Sequence, residues 1–259
     1  MQNYQHLLYS VDNLVATITI NRPEVLNAWT QLTLHEIEDA LKTAGSDSKV
    51  GVVVLTGTGD KAFCVGGDVN WEREGGLADK EYTYNLAHAI SECPKPVIAR
   101  VNGWCIGGGH HLAYFCDVTI ASDNSRFGQA GPRVGSPAAG YMVSHSANIL
   151  GHKRAMELWL MCRQYTAHQM LDWGLVNTVV PKQYLDAEVR RWADEMLSLS
   201  PTCLKIIKAS FRHKIDNIMD QDMATVVNRV APGYFETGEQ HEGASAFLEK
   251  RKPNFDPWR

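Results

Sequence analysis

Two clusters of glycine are the residues of this chain best suited to chemistry. One lies in the stretch 62–68 and includes Gly66 and Gly67, and the other is the triplet Gly107-Gly108-Gly109. Glycine lets a backbone N–H group approach a ligand closely because it has no Cβ. Two such N–H groups that converge on one oxygen form an oxyanion hole. One cluster alone is typical of a tight turn, whereas two in similar settings indicate a site that polarises a carbonyl group.

Strands and helices must alternate around these clusters, because each cluster follows a β-rich apolar run and leads into a helical pattern. The sequence predicts strands at residues 15–20, 50–56, 95–101 and 117–121. The run at 50–56 is almost continuously β-branched, which is typical of a strand buried on both faces. Strands separated by helices predict βαβ units and a parallel sheet, so the fold class is α/β.

Helical periodicity fills the rest of the chain. The first helix carries an apolar stripe, and Thr33 with Glu36 matches a capping box. A second stripe runs at helical spacing through the C-terminal third, and it continues after Pro201 breaks the chain. We interpret these stripes as core or subunit contacts. Their apolar members are Leu32, Ile37, Ala40, Leu41, Leu185, Val189, Trp192, Met196, Leu199, Leu204, Ile207 and Phe211.

Composition limits the class of protein. The chain has 259 residues, 44% of them hydrophobic, and a net charge of −4. It shows no basic block typical of nucleic-acid binding and no apolar run long enough to span a membrane. Its N-terminus lacks the pattern of a secretory signal, and its six cysteines are scattered, as expected for reduced thiols in a cytoplasmic protein. No spacing of His, Cys, Asp or Glu predicts a metal site.

Ordered landmarks from residue 21 to the C-terminus resemble the crotonase (enoyl-CoA hydratase/isomerase) superfamily. The landmarks are the stretches 22–28, 62–68, 94–99 and 107–109. The resemblance implies a spiral of ββα units over residues 1–195 and a helical trimerisation region over 196–259. It also implies a homotrimer or homohexamer, and a coenzyme A thioester whose carbonyl binds between the N–H groups of Gly67 and Gly108. Coenzyme A is then part of the substrate, and no tightly bound cofactor is expected.

Within the superfamily, the chain resembles the 1,4-dihydroxy-2-naphthoyl-CoA synthases and the 2-ketocyclohexanecarboxyl-CoA hydrolases. The blocks 162–165 and 174–181 are the most specific parts of this resemblance. It implies a set of residues around the acyl group and a set around coenzyme A. The first set is Val65, Gly66, Asp68, Gly131, Ala138, Tyr141, Trp159 and Phe235. The second set is Val25, Leu26, Ala28, Lys61, Phe63, Lys250 and Arg251.

The chain departs from its relatives where they carry acid–base groups. Hydratases of the superfamily use two glutamates, and His111 and Gly131 occupy those positions here. In the subgroup, a bicarbonate ion near the equivalent of Gly131 can serve as the base, so bicarbonate is a hypothesis. Ala138 stands where the subgroup has an aspartate. Phe235 aligns with a subgroup tyrosine that reaches a neighbouring active site, and a shift by one residue would place Tyr234 there.

Other residues are candidates for the missing acid–base roles. Glu72 and Glu74 follow the first glycine cluster, where the family has a mobile substrate loop, and either could supply a base. Each would otherwise lie in a solvated loop. His111 can act as an acid or a base near neutral pH, or can be an ordinary helix residue with a satisfied ring. Ser136 is predicted to orient substrate or water.

The surviving chemistry is stabilisation of a thioester enolate. Such an enolate forms when a cyclic β-keto thioester is opened by water, and it also attacks a carbonyl group in Claisen-type ring closure. We favour ring-opening hydrolysis of a cyclic acyl-CoA. Ring closure, and enoyl-CoA hydration or isomerisation, remain alternatives. A catalytically weak coenzyme A-binding protein is the alternative from a different class.

Overall fold

The structure is a computed structural model that describes residues 4–76, 86–216, 227, 231–255 and 257. The strands are β1 Leu7–Asp12, β2 Val15–Ile20, β3 Val52–Gly57, β4 Ala62–Cys64, β5 Val97–Val101, β6 Trp104–Ile106, β7 Val118–Ser122, β8 Arg126–Gly128, β9 Gln164–Thr166 and β10 Thr178–Val180. The helices are α1 Gln31–Ser46, α2 Val69–Arg73, α3 Leu86–Glu92, α4 Gly108–Phe115, α5 Gly131–Val134, α6 Tyr141–Leu150, α7 His152–Met161, α8 Ala167–Asp172, α9 Leu185–Leu197, α10 Pro201–Asp216 and α11 Glu239–Leu248. Short 3₁₀ turns lie at Pro23–Val25, Lys182–Tyr184 and Tyr234–Glu236.

The strands form two sheets that the chain visits in turn. The large sheet has the order β1-β2-β3-β5-β7-β10, and the small sheet has the order β4-β6-β8-β9. Successive units therefore place one strand in the large sheet, one in the small sheet and then a helix, as in β3-β4-α2, β5-β6-α4 and β7-β8-α5. This repeated ββα spiral confirms the predicted α/β fold of the crotonase type.

The central strands β3 and β5 of the large sheet are buried on both faces, and this explains their β-branched residues. Every residue of β3 is buried, as the sequence predicted for residues 50–56. Alternate residues of a strand point to opposite faces. Val53 and Leu55 pack into the main core with α1, whereas Val52 and Val54 pack against α9. The buried sheet is the framework against which the small sheet, with the strands β4 and β6 that lead to the glycine clusters, is built.

The capping box of α1 lies one turn earlier than the sequence predicted. Thr30 is the N-cap, and its N–H donates to Thr33 Oγ1 at 3.1 Å. The predicted pair of Thr33 and Glu36 is therefore wrong. The Glu36 carboxylate is nevertheless used, because it accepts the N–H groups of Gln5 and His6, each at 2.8 Å. This contact ties the N-terminal segment to α1.

The C-terminal helices differ in how they meet the sheet. Helix α9 packs its apolar stripe on the large sheet and ends at Leu197, so the predicted domain boundary after residue 195 falls inside it. Helix α10 is joined to the sheet through Lys208, whose Nζ lies 2.7 Å from Asp117 Oδ2. Its apolar residues Ile207 and Phe211 are exposed within this chain. A trimerisation role for residues 196–259 stays a prediction.

Two further features of the chain concern its long helices and its cysteines. Over the residues described, no helix is both long and apolar enough to cross a membrane. The six cysteines are free thiols, and all but Cys203 are buried. Burial raises the pKa of the Cys64 thiol to about 12. A thiol held in this state is a poor nucleophile.

Asn27 ties together the segments that lead to the first glycine cluster. Its Nδ2 donates to the carbonyl groups of Thr58 and Ala62 at 3.0 and 2.9 Å, and its Oδ1 accepts the N–H of Arg22 at 3.1 Å. It is almost fully buried and has a left-handed backbone with φ of 58°. Asparagine suits this position because its side chain replaces backbone partners and it tolerates positive φ.

We therefore expect Asn27→Ala to lower the free energy of unfolding by about 2–4 kcal/mol. The substitution leaves two carbonyl groups and one N–H unpaired in the interior, and alanine tolerates a positive φ less well than asparagine does. Urea unfolding measures the loss. Asn124→Ala, at an exposed turn, is the control and is expected to change stability by less than about 0.5 kcal/mol. Equal effects of the two substitutions would contradict the assigned role of Asn27.

Candidate active site

The two glycine clusters touch each other at the ends of β4 and β6. Gly66 has φ of 94°, and a β-carbon on it would lie 2.9 Å from the N atom of Gly108. A β-carbon on Gly109 would overlap the carbonyl oxygen of Cys64. Only glycine allows the backbone to approach this closely. The clusters that the sequence placed far apart thus form one site.

Two N–H groups in this contact are left available to a ligand. Trp29 pairs with the first cluster, since its N–H donates to Gly66 O and its carbonyl accepts the Asp68 N–H, both at 2.8 Å. This leaves the intervening N–H of Gly67 outside the ladder. Gly108 is the first residue of α4, so its N–H has no partner within the helix. In the described part of the chain neither group donates to another backbone group.

The start of α4 adds an electrostatic contribution at the same place. The N-terminus of a helix carries a partial positive charge that stabilises a nearby anion. Helix α4 begins at Gly108 itself, and so its dipole reinforces the Gly108 N–H. The arrangement brings together the two N–H groups expected to form an oxyanion hole, and their role in binding a carbonyl stays a prediction.

Glu72 places a carboxyl group directly against Gly67, one of these two donors. Helix α2 begins immediately after Gly67, and Asp68 caps it by accepting the N–H of Asn70 at 3.0 Å. Arg22 holds the cap through a contact of 3.0 Å to Asp68 Oδ2. The helix then turns Glu72 back onto Gly67, where a β-carbon would overlap Glu72 Oε1. Asp68, predicted to contact substrate, instead has its carboxylate occupied in positioning this helix.

Burial gives Glu72 an unusual acidity. Its residue is 7% exposed. The pKa of its carboxyl group is raised to about 7, mainly by desolvation; a hydrogen bond with Ser136 opposes the shift, and the charge of Asp68 adds to it. A carboxyl group with a pKa near neutrality can accept a proton and then return it. Glu72 is therefore the best-placed proton carrier in the described part of the chain.

Glu74, the other predicted candidate on this segment, lies elsewhere. It is exposed and caps the C-terminal end of α2, with its N–H donating to Asn70 O at 3.0 Å. The structure does not bring its side chain to the glycines. Of the two glutamates, only Glu72 remains a candidate.

Gly131 and Ser136 form a tight turn opposite Glu72. Ser136 N–H donates to Gly131 O at 3.0 Å, and a β-carbon on Gly131 would lie 2.6 Å from Ser136 O. A glutamate cannot replace Gly131 without displacing this turn. Ala138 follows in the same loop and is half-buried. The turn offers the Ser136 hydroxyl to Glu72 in place of the two missing carboxylates.

His111 is held as a neutral ring. It is buried, its Nε2 lies 3.2 Å from Gln129 Oε1, and its ring lies 5.4 Å from that of Trp159. Desolvation lowers its pKa to about 3, and the neighbouring His110 adds to the shift. His111 therefore does not change charge near neutral pH, which corrects the expectation that it exchanges protons there.

Tyr141 and Trp159 belong to the packing around this ring. Tyr141 is buried, and its hydroxyl lies 2.8 Å from His145 Nδ1. Trp159 Nε1 donates to Ser146 Oγ at 3.0 Å. Both side chains are thus fixed by polar partners while their ring faces stay apolar. Trp159 packs against the His111 ring, whereas Tyr141 packs against Phe115 and His145.

Tyr234, rather than Phe235, faces the site from the C-terminal segment. Its hydroxyl donates to Gly135 O at 2.5 Å. Burial raises its pKa to about 12, and the charges of Glu239 and Glu72 contribute in the same direction. Tyr234 fits the one-residue shift considered above, and the alignment of Phe235 with the subgroup tyrosine stays a prediction. In this structure Tyr234 reaches the site of its own chain.

The residues predicted for coenzyme A are placed unevenly. Val25 and Ala28 flank the exposed Leu26, which has φ of 55°. Lys61 and Lys250 are exposed cations. Phe63 is 0% exposed, so its side chain belongs to the core and its assignment to the ligand is wrong.

Arg251 is already paired. Its guanidinium lies 2.6 Å from carboxylate oxygens of both Glu242 and Glu249. These pairs compete with any phosphate contact. Among the described residues, no group of three or more His, Cys, Asp and Glu side chains has the arrangement of a metal site.

Sequence reasoning missed two residues of the site, Trp29 and Gln129. Trp29 contacts both glycine clusters, and Gln129 joins the rings of His110 and His111 through contacts of 3.4 and 3.2 Å. Gln129 follows directly after β8. No spacing in the sequence links Trp29 to either cluster.

Comparison with known proteins defines the class. The profile of the family described as enoyl-CoA hydratase/isomerase matches residues 10–257. The chain therefore belongs to the enoyl-CoA hydratase/isomerase family of the crotonase superfamily, and it is an acyl-CoA enzyme of that family.

Solved structures agree with this assignment. An enoyl-CoA hydratase from Mycobacterium avium subsp. paratuberculosis K-10 is similar over 98% of this chain and 99% of its own, with 29% identity and a TM-score of 0.85. A carnitinyl-CoA hydratase from Mycobacterium avium is similar over 98% and 100%, with 30% identity and a TM-score of 0.83. A methylmalonyl-CoA decarboxylase, at 24% identity over 98% and 99%, shares the fold with a TM-score of 0.86.

Alanine at either donor glycine tests the geometry of the hole. In Gly67→Ala the new methyl group overlaps the Glu72 carboxyl, and in Gly108→Ala it overlaps the Trp29 indole. We expect each to lower kcat by about 10²–10³-fold, the usual effect of losing one oxyanion donor. Steady-state kinetics measures the loss, and circular dichroism controls for folding. A well-folded variant with wild-type kcat would contradict the assignment of that donor.

Proposed function

We propose that this enzyme opens the ring of a cyclic β-keto acyl-CoA by adding water across a C–C bond. The observation that carries the proposal is the buried Glu72 carboxyl against Gly67, beside a pair of available N–H donors. A hole of this kind stabilises a thioester enolate, and a single carboxyl with a pKa of about 7 can move the protons. The resemblance to 2-ketocyclohexanecarboxyl-CoA hydrolases supports the same reaction.

The steps balance with one carboxyl group. The Glu72 carboxylate takes a proton from water as its oxygen attacks the ring ketone. The bond between the ketone carbon and the α-carbon breaks, and its electron pair forms the thioester enolate. The N–H groups of Gly67 and Gly108 stabilise the enolate oxygen. Protonated Glu72 then returns the proton to the α-carbon, which gives an acyclic acyl-CoA with a terminal carboxylic acid.

Ser136 and Tyr234 support Glu72 in this scheme. The Ser136 hydrogen bond favours the charged form of Glu72 and fixes the direction of its carboxylate. Tyr234 stays protonated near neutral pH, since its pKa is raised to about 12. It can therefore offer a hydrogen bond to a polar group on the acyl chain. Without an ionised tyrosine nearby, Glu72 is the group that sets the pH dependence.

A second candidate function is isomerisation of an enoyl-CoA. One carboxyl beside an oxyanion hole can remove a proton from one carbon and return it to another. The family profile and the similarity to two hydratases favour this candidate. Hydration itself is less well supported, because the two hydratase glutamates are replaced and His111 stays neutral. Claisen-type ring closure uses the same enolate and is the third outcome of the test.

Assembly and ligand contacts are also proposals. The exposed apolar residues of α10 support a homotrimer or homohexamer in the cytoplasm. Lys250 is the exposed cation of the tail that is suited to a phosphate of coenzyme A. Bicarbonate as a base near Gly131 is retained only as an added component of the assay. A protein that binds coenzyme A without turnover is the alternative outside enzymes.

The test is mass spectrometry of a thioester panel, made with and without bicarbonate. The panel holds 2-ketocyclohexanecarboxyl-CoA, o-succinylbenzoyl-CoA and crotonyl-CoA, and we expect a product heavier by one water from the first.

Glu72→Gln should lower kcat by about 10²–10⁴-fold. Glu74→Gln, at the exposed end of the same helix, is the matched control and should retain activity. In the wild type, kcat/KM should rise with pH through about 7, because Glu72 must be ionised to act as a base.

Other results would contradict the proposal in distinct ways. Loss of water from the succinylbenzoyl thioester would show that the enzyme catalyses ring closure and not ring opening. Turnover of crotonyl-CoA alone would favour the hydratase or isomerase function. Two results would remove Glu72 from the mechanism. One is wild-type activity of the Glu72→Gln variant, and the other is turnover by the wild-type enzyme only when bicarbonate is added.

A further inference from the structure

Trp29 is in contact with both halves of the oxyanion hole. Its backbone pairs with Gly66 and Asp68 in an isolated parallel bridge that frames Gly67. Its indole ring lies on Gly108, where a β-carbon would overlap ring carbons Cη2 and Cζ2. Trp29 is 4% exposed, so this arrangement is enclosed in the protein.

The segment that carries Trp29 is fixed on both sides. Before it, Arg22 Nη1 donates to Ala28 O at 2.6 Å, and Asn27 is bonded to three backbone groups. After it, Thr30 caps α1. An indole ring on such a segment is a rigid spacer, because its side chain has only two rotatable bonds. Displacement of the ring would require the end of the loop and the start of α1 to move together.

We propose that Trp29 is the positioning residue that sets the separation of the Gly67 and Gly108 N–H groups. The inference rests on the proposed function, since it assumes a thioester carbonyl in this hole. The backbone of Trp29 holds the Gly67 side, and its ring holds the Gly108 side. Substitution of the side chain therefore loosens one donor and leaves the other in place. A residue that served only to fill the core would have no such asymmetry.

We expect substitution of Trp29 to reduce polarisation of the thioester carbonyl and to leave the affinity for the acyl-CoA nearly unchanged. The Trp29 ring is buried against Gly108, so we expect its substitution to change KM and Kd less than kcat. Donors must lie about 2.7–3.1 Å from the oxyanion to stabilise it. A small shift at the start of α4 moves the Gly108 N–H out of this range. We expect kcat of Trp29→Leu to fall by about 10- to 10²-fold.

A chromophoric thioester tests this without turnover. The probe is 4-(N,N-dimethylamino)cinnamoyl-CoA, whose absorption moves to longer wavelength when its thioester carbonyl is polarised. The full chain with Glu72→Gln serves as the background, so that no product forms. We expect a clear red shift in this background, less than about half of it with Trp29→Leu, and an intermediate shift with Trp29→Phe. Trp173, whose ring packs against Tyr165 and Arg154, supplies the matched control, and Trp173→Leu should retain the full shift.

A double-mutant cycle adds a second readout. When Trp29 is present, the methyl group of Gly108→Ala overlaps its ring, whereas Trp29→Leu opens that space. Gly108→Ala should therefore cost less red shift when Trp29→Leu is present. Non-additivity of this kind measures a direct contact between the two residues.

The outcomes separate this inference from the proposed function. A full red shift in Trp29→Leu, or strictly additive effects in the cycle, would overturn the role of Trp29. If Trp29→Leu does not fold, the Trp29→Phe variant decides, and an unchanged shift there overturns the role. A red shift in the wild type without turnover of any panel thioester would overturn only the proposed reaction. Absence of the shift in the wild type would overturn both.

Discussion

The contact between the end of β4 and the start of α4 is the constraint on which the site depends. Gly66 and Gly109 allow the two backbones to meet at a distance that any β-carbon would prevent. The meeting brings together N–H groups from two successive ββα units. Their relative position is set by the pairing of β4 with β6 in the small sheet, so it does not depend on flexible side chains. The fold thus supplies a preorganised electrostatic site before any substrate binds.

A second consequence of this contact is the state of Glu72. Gly67 has no side chain, so the space beside it is filled by the Glu72 carboxyl, which α2 and the Asp68 cap direct inward. Removing a carboxyl from water favours its neutral form. The folded state is therefore destabilised by Glu72 as the pH rises from about 4.5 to about 7, where the unfolded chain has already released the proton. The same burial that lowers the stability of the fold gives a carboxyl group that can both accept and donate a proton near neutral pH.

Much of the framework could be predicted from the residue pattern. The β-branched run near Val52 and the glycines at 66–67 and 107–109 indicate buried strands and a carbonyl site directly. The acid–base roles of individual side chains could not be predicted, because they depend on contacts made in three dimensions. Glu72 and Glu74 are alike in sequence, and only the Asp68 cap decides which of them turns inward. His111 has a typical acid–base side chain, but burial among rings keeps it neutral, an effect that no local pattern reveals.

The central claim is that Glu72 is half-protonated near neutral pH beside the oxyanion hole. Infrared difference spectroscopy of the wild type against Glu72→Gln, recorded as a function of pH, tests it most directly. The carbonyl stretch of a protonated carboxylic acid should appear in the difference spectrum and disappear with a midpoint at about pH 7. A midpoint near 4.5, the ordinary value for a glutamate, would mean that the carboxyl is solvated and would contradict the account.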